Sequence, residues 1–265
     1  MEGVSPVFCR DVAQYTNLTA HAQAVERTIQ TMHTHLSELL TLEDLASVAC
    51  LSPFHFNRIF RRLIGIPPGE FLSALRFQTA RRLLLTTSLS VTDICFEIGY
   101  TSIGSFTSRF TRLVGLSPRL LRQRAHAFEP HSTKPAEFLT APSRMPGKNA
   151  LLGRISMSST FVGTIYIGLF AGPIPQGVPM RCSRLSSPGL YLLSDVPDGV
   201  YYLRAAAFPV ATDLHSALLP GEKMLLGNNA SPLHIHNGLV VGDPNLVLHS
   251  PRLTDPPLVM GLPLL

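Results

Sequence analysis

Between Thr41 and Pro118 the chain repeats itself. Thr41-Leu-Glu-Asp-Leu45 lies over Ser90-Val-Thr-Asp-Ile94 at an offset of 49. Phe56, Phe60, Arg62, Leu63, Gly65 and Pro68 lie over Phe106, Phe110, Arg112, Leu113, Gly115 and Pro118 at an offset of 50. One residue inserted near Thr101 accounts for the change. Each copy opens on a hydroxyl residue with an acid three places on, the signature of a capped helix start. Apolar residues then recur at helical spacing, and Gly65 and Gly99 read as backbone punctuation after helices. Two copies are too few for a solenoid, which needs at least three repeats to bury a continuous core. The pattern predicts twin helix-turn-helix units joined by one long helix over residues 70–85.

The flanks read differently. Val25, Ile29, Met32 and Leu36 form one stripe of an amphipathic helix, and residues 1–24 are an arm or a further helix. Ser52-Pro53 and Ser117-Pro118 each read as a cap followed by proline at the first helical position. Residues 126–160 mix Pro, Ser, Thr and charge without sustained periodicity, as a linker does. Beyond 160 the apolar period becomes two. Strands are expected at 164–170, 190–193, 200–207, 233–236, 239–241 and 245–248, with hairpin turns at Pro197-Asp198-Gly199 and Asn237-Gly238. Six or seven short strands in about 100 residues point to a small all-β sandwich or barrel. The expected fold is multi-domain: an arm at 1–24, an all-α domain at 25–125, a linker at 126–160 and an all-β domain at 161–265.

The net charge of +5 sorts along these boundaries. Residues 25–125 hold 12 Arg, no Lys and 7 acids, a net of +5. Residues 126–265 hold 9 basic and 8 acidic residues, and residues 1–24 hold one Arg against two acids. The excess therefore falls on the duplicated segment, where arginine forks suit phosphates and guanine edges. A solvated helical face would produce the same count. The most apolar stretch, 160–174, is broken by Gly163, Gly168, Gly172 and Pro173, short of the ~18–20 unbroken residues of a spanning helix. The N-terminus has no basic region followed by an apolar core. The chain is expected to be soluble and cytoplasmic, away from membranes.

A helix that reads DNA needs an inward apolar stripe and an outward stripe of hydrogen-bonding residues. In 52–64 the inward stripe is Phe56, Ile59, Phe60 and Leu63, while Phe54, Asn57, Arg58, Arg61 and Arg62 fall away from it. Asn57 and Arg58 are types that pair with adenine and guanine edges, and Phe54 suits a thymine methyl. His55 reads as a packed, hydrogen-bonded histidine; Arg81 and Arg82 on the joining helix read equally as phosphate contacts or as solvated side chains. The stretches TLEDLASVACLSPFHFNRIFRRLIGIPP, LSALRFQTARRLLL and SVTDICFEIGYTSIGSFTSRFTRLVGLSPRLLR resemble the DNA-binding domain of AraC/XylS-type bacterial transcription regulators. The resemblance implies two helix-turn-helix units addressing adjacent major-groove segments, about 34 Å apart. It implies base-facing places at Phe54, Asn57 and Arg58 in the first unit, and at Ile103, Gly104, Thr107 and Ser108 in the second. Relatives often carry Arg where this chain has Ser108; Arg109 is one position on, rotated about 100°. Arg109 and Arg112 complete the expected DNA-facing set. The first unit is thus expected to supply most of the specificity.

No Gly-x-Ser-x-Gly, phosphate loop or His-Glu-x-x-His pattern occurs. His234 and His236 alternate on an expected strand with Asp243 nearby, but no third His or Cys is spaced with them for a metal. Asp195 and Asp198 flank a turn, where Asp serves turn geometry. Cys9, Cys50, Cys95 and Cys182 are too dispersed for zinc or a disulfide framework, and Cys50 and Cys95 read as buried small apolar residues. The segment from GTIYIGLFAGPIPQG to VPDGVYYLRAAAF resembles carboxypeptidase-regulatory-like or transthyretin-like sandwiches, which implies binding or packing. No catalytic residue, metal or cofactor is expected. Double-stranded DNA is the expected partner, with RNA polymerase, a small-molecule effector or self-association through the β domain as open alternatives. The competing reading is an enzyme with a β-domain active site, fused to a helical binding module. A pocket lined by Tyr191, Tyr201, Tyr202 or His234 would favour a sensing β domain.

Overall fold

A computed structural model describes residues 6–127, 149–158, 160–210, 218–219, 221–229, 231–262 and 264. It divides into two compact units, Met1–Ser73 with Leu253–Asp255, and Ala74–Arg252 with Pro256–Leu265. Helices fill the first unit: α1 (Pro6–Thr34), α2 (Leu42–Val48), α3 (Pro53–Ile64) and the start of α4 (Pro68–Thr86). The second unit contains the rest of α4, then α5 (Val91–Glu97), α6 (Ile103–Val114) and α7 (Pro118–His126). The segment expected to be an arm or a further helix is helical from residue 6, and α1 runs past residue 25 without a break.

Local chemistry explains why the two copies fold alike. The Thr41 hydroxyl accepts the Asp44 N–H, and the Asp44 carboxylate accepts the Thr41 N–H; Ser90 and Asp93 repeat the exchange. At α3, α6 and α7 the cap is the hydroxyl alone: Ser52, Ser102 and Ser117 accept the N–H of His55, Ser105 and Leu120. The turns also coincide. Leu51 N–H donates to Ala46 C=O, and Tyr100 N–H to Cys95 C=O, both at 3.0 Å. Within that turn Cys50 adopts φ 56° and Gly99, at the offset of 49, adopts φ 78°. Cys50 is therefore an exposed turn residue and not the buried apolar one expected, whereas Cys95 is buried. The stripe of α3 also shifts: Phe56, Ile59, Phe60 and Ile64 are buried, and Leu63 stands at the rim.

Nine strands follow in the described residues, in two sheets. The smaller has the order β4-β1-β9, with β1 (Leu151–Ser156), β4 (Leu190–Leu193) and β9 (Leu246–Val247). In the larger, the order is β3-β2-β5-β7-β8, and β6 also pairs β5; these are β2 (Gly163–Phe170), β3 (Arg181–Leu185), β5 (Gly199–Pro209), β6 (Leu225–Asn228), β7 (Leu233–His236) and β8 (Leu239–Val241). Leu151, Ile155 and Leu193 from the smaller sheet share one buried cluster with Ile165, Ile167, Leu203 and Leu233 from the larger.

Strand β1 lies inside the segment read as linker, because its pairing partners, β4 and β9, are far along the chain. Pro197-Asp198-Gly199 is not a hairpin: β4 pairs with β1, while β5 pairs with β2, β6 and β7, so the turn carries the chain between sheets. Asn237-Gly238 does close a hairpin, between β7 and β8, with φ of 48° and 80°. The chain's last stretch does not stay with the sheets. Residues 258–262 and Leu264 pack against α4, α6 and α7, where Arg81 donates to Met260 and Leu262 carbonyls, Gly261 N–H to Val114 C=O and Arg124 to the carbonyl of Leu264.

Candidate nucleic-acid interface

Helix α3 begins at the Ser52 cap and Pro53, so its first turn is set with its outer face in solvent. Phe54 is 81% exposed, an unusual position for a ring that would gain by burial. Arg58, Arg61 and Arg62 are exposed beside it. Asn57 departs from the expected picture: it is half-buried, and its Oδ1 is shielded from solvent with no hydrogen-bond partner among the described residues. Arg58 is steered by a neighbour. Its Nη2 donates to His55 Nδ1 at 3.1 Å, and the His55 ring meets His21 of α1 edge-on at 5.7 Å. His55 is thus the packed, hydrogen-bonded residue expected, and it directs the guanidinium along the helix surface.

On α6 the expected residues separate into two groups. Ile103 (43% exposed), Gly104 and Ser108 face solvent, and Thr107 is half-buried. Phe106 and Phe110 anchor the opposite side against Phe77 of α4, whose ring stacks on Phe106 at 6.0 Å. The Arg109 guanidinium lies 6.0 Å from the Phe77 ring centre and 5.9 Å from that of Tyr100. That geometry favours a cation–π contact, which turns Arg109 sideways, away from the Ser108 face. Arg112 is exposed near the end of the helix.

The basic residues around this helix mostly bind protein. Arg81 is buried, neither solvated nor free for phosphate, and burial lowers its pKa to about 10. Arg122 donates from Nε to Leu84 C=O at 3.2 Å and from Nη2 to Leu89 C=O at 2.8 Å, tying α7 to the end of α4. Arg82 remains exposed. Sequence reasoning missed Ser102 as a cap, and it missed Arg81, Arg122 and Arg124 as carbonyl ligands. Only Ser102 carried a local signal, its place at the offset of 50 from Ser52.

A family profile described as a helix-turn-helix domain matches residues 45–124. The HTH-type transcriptional activator AarP of Providencia stuartii is 36% identical over 88 residues, 33% of this chain and 65% of that protein. The bifunctional transcriptional activator/DNA repair enzyme AdaA of Bacillus subtilis is 32% identical over 89 residues, 34% of this chain and 42% of that protein. The helical region is similar to AraC/XylS-type transcription regulators. Among solved structures, the DNA-binding domain of AdpA, crystallised with a target DNA, is 31% identical, covers 41% of this chain and 97% of that one, and has a TM-score of 0.38. The chain spans less than two thirds of the length of the first curated relatives it matches, 65% and 42%.

Outside the AraC-type region the candidates do not converge. Tyr191 and Tyr201 are packed in the core between the sheets, while Tyr202 points the other way with Arg204 over its ring at 5.5 Å. Burial and the nearby Asp243 charge push the Tyr191 hydroxyl pKa well up, and that hydroxyl donates to Pro244 C=O. His234 and His236 are exposed on one side of β7. The Asp198 carboxylate accepts from Asn237 N–H and Asn149 Nδ2 at 3.0 Å and meets His236 Nδ1 at 3.3 Å. Asp198 thereby fixes the β7–β8 turn. No group of three or more His, Cys, Asp or Glu able to hold a metal occurs among the described residues.

Proposed function

We propose that this chain is a sequence-specific DNA-binding regulator of transcription whose helical half reads two adjacent major-groove segments through twin helix-turn-helix units. The carrying observation is that α3 and α6, within a region similar to AraC-type regulators, each keep a buried phenylalanine pair inward and expose Phe54 and Arg58, or Ile103, Gly104 and Ser108, on another face. In this reading Phe54 and Arg58 supply most base contact on the first helix, with Asn57 at its edge. Arg61, Arg62 and Arg112 meet phosphates. Ile103, Gly104, Thr107 and Ser108 make short-range contacts on the second helix, flanked by Arg109.

The β region is read as a small sandwich that senses a ligand or makes protein contacts, self-association included. RNA polymerase is a partner in this reading, the working place is the cytoplasm, and no reaction is catalysed. Footprinting on DNA upstream of the chain's own gene, at several salt concentrations, tests the proposal. A protected site whose affinity falls steeply with salt is expected, since displaced counterions drive phosphate contact. Weak, sequence-indifferent binding at every salt concentration would overturn it.

A further inference from the structure

The last turn of any helix ends in carbonyls that the helix itself cannot satisfy. In α6, Gly115 N–H donates to Thr111 C=O at 3.0 Å, and the next bonds come from far along the chain. Gly177 N–H donates to Leu113 C=O at 2.5 Å, and Gly261 N–H to Val114 C=O at 2.9 Å. Gly177 belongs to the loop between β2 and β3, and Gly261 to the C-terminal tail. Both approaches are close. A Cβ on Gly177 would sit 3.0 Å from Arg112 C=O on a backbone at φ +66°, and one on Gly261 would sit 3.3 Å from Val114 C=O. The tail is itself anchored: Arg81 Nη1 donates to the Met260 and Leu262 carbonyls at 2.9 and 3.2 Å, and Arg124 Nη1 to Leu264 at 2.9 Å. Leu258, Val259, Met260 and Leu264 are buried. The two copies of the repeat differ at this end, since Leu113 is 8% exposed and its counterpart Leu63 is 36% exposed.

We propose that the β2–β3 loop and the C-terminal tail are positioning elements for α6, holding this helix by its C-terminal end so that its other end meets DNA at a fixed angle. The inference rests on the DNA-reading role proposed above. Its physical basis is the shortness of the reading side chains. A long arginine can bend to follow a misplaced helix, but Ser108, Thr107 and Ile103 cannot. A helix of 12 residues is about 18 Å long, so a tilt of about 5° at one end moves the other by about 1.6 Å. That displacement breaks a hydrogen bond. Capping α6 from the β region restrains this tilt, and whatever shifts the loop or the tail retunes reading by the second copy.

The test uses the full chain carrying Gly177→Ala or Gly261→Val, with amide exchange and half-site footprinting read together. Exchange over residues 111–116 should accelerate about tenfold in either variant while residues 59–65 are unchanged. Protection of the half-site under α6 should weaken about tenfold, with the other half-site intact. Unaltered exchange at the end of α6 in both variants would overturn the proposal. So would equal acceleration in α3 and α6, or altered exchange with an unaltered footprint. If the unsubstituted chain protects no specific duplex, the regulator reading fails, and the exchange experiment still decides whether loop and tail hold α6.

Discussion

Cys50 shows how a single residue can hide its role. Its apolar neighbours suggest a buried thiol, yet it occupies the left-handed turn position that Gly99 fills in the second copy. A side chain there is strained by its own carbonyl contacts. Cys50→Gly should therefore stabilise the protein by up to about 1 kcal/mol, less the entropy that glycine adds to the unfolded chain. A rise in urea midpoint at unchanged m-value would confirm it. Arg58 and Ser108 make a second comparison at this scale. Arg58→Ala should cost about 1–3 kcal/mol of discrimination, or about ten- to hundredfold in specific affinity. Ser108→Ala, removing one hydroxyl, should cost clearly less. Gel-shift titration of both variants on one duplex decides the order; wild-type affinity for Arg58→Ala with lost binding for Ser108→Ala would reverse it.

Among the elements, the helices were the most legible. The Thr41/Asp44 and Ser90/Asp93 boxes, the Ser-Pro starts and the phenylalanine spacing are local signals, and local hydrogen bonds execute them. The Thr41 hydroxyl and N–H hold the Asp44 carboxyl pKa below its ordinary value of 3.8. A carboxyl depressed in the folded state adds stability above its unfolded pKa and loses it as pH falls through the folded one. The acid limb of the stability curve should therefore flatten in Asp44→Asn, with little change in slope above about pH 5; thermal melts across pH 2–6 measure it. Strands β1, β3 and β6 escaped notice because each is short and takes its order from partners distant in sequence. The same nonlocality misread Pro197-Asp198-Gly199, since turn chemistry is identical whether the next strand pairs back or joins another sheet.

For the whole molecule, the charge excess falls on the helical half but overstates the basic surface proposed to face DNA. Arg81, Arg122 and Arg124 bind carbonyls, and Arg109 lies over aromatic rings. Only arginines that reach phosphate release counterions. Arg61→Ala and Arg62→Ala should each reduce the slope of log K against log salt by about 1, whereas Arg124→Ala should leave that slope unchanged. Salt titrations of the three variants on one duplex test the assignment.

By itself the sequence determined the duplicated helical half, its caps apart from Ser102, its aromatic anchors and its family resemblance, because those depend on neighbours within a few turns of chain. The outward face of α3 followed from the same spacing, and that of α6 from the family resemblance. Only the tertiary structure decided which arginines bind carbonyls and which stay exposed, how the strands divide between two sheets, and that the tail returns to the end of α6. For the arginines those outcomes turn on donors and acceptors brought together from 33 to 181 residues apart, and no periodicity records which carbonyl a distant N–H will find.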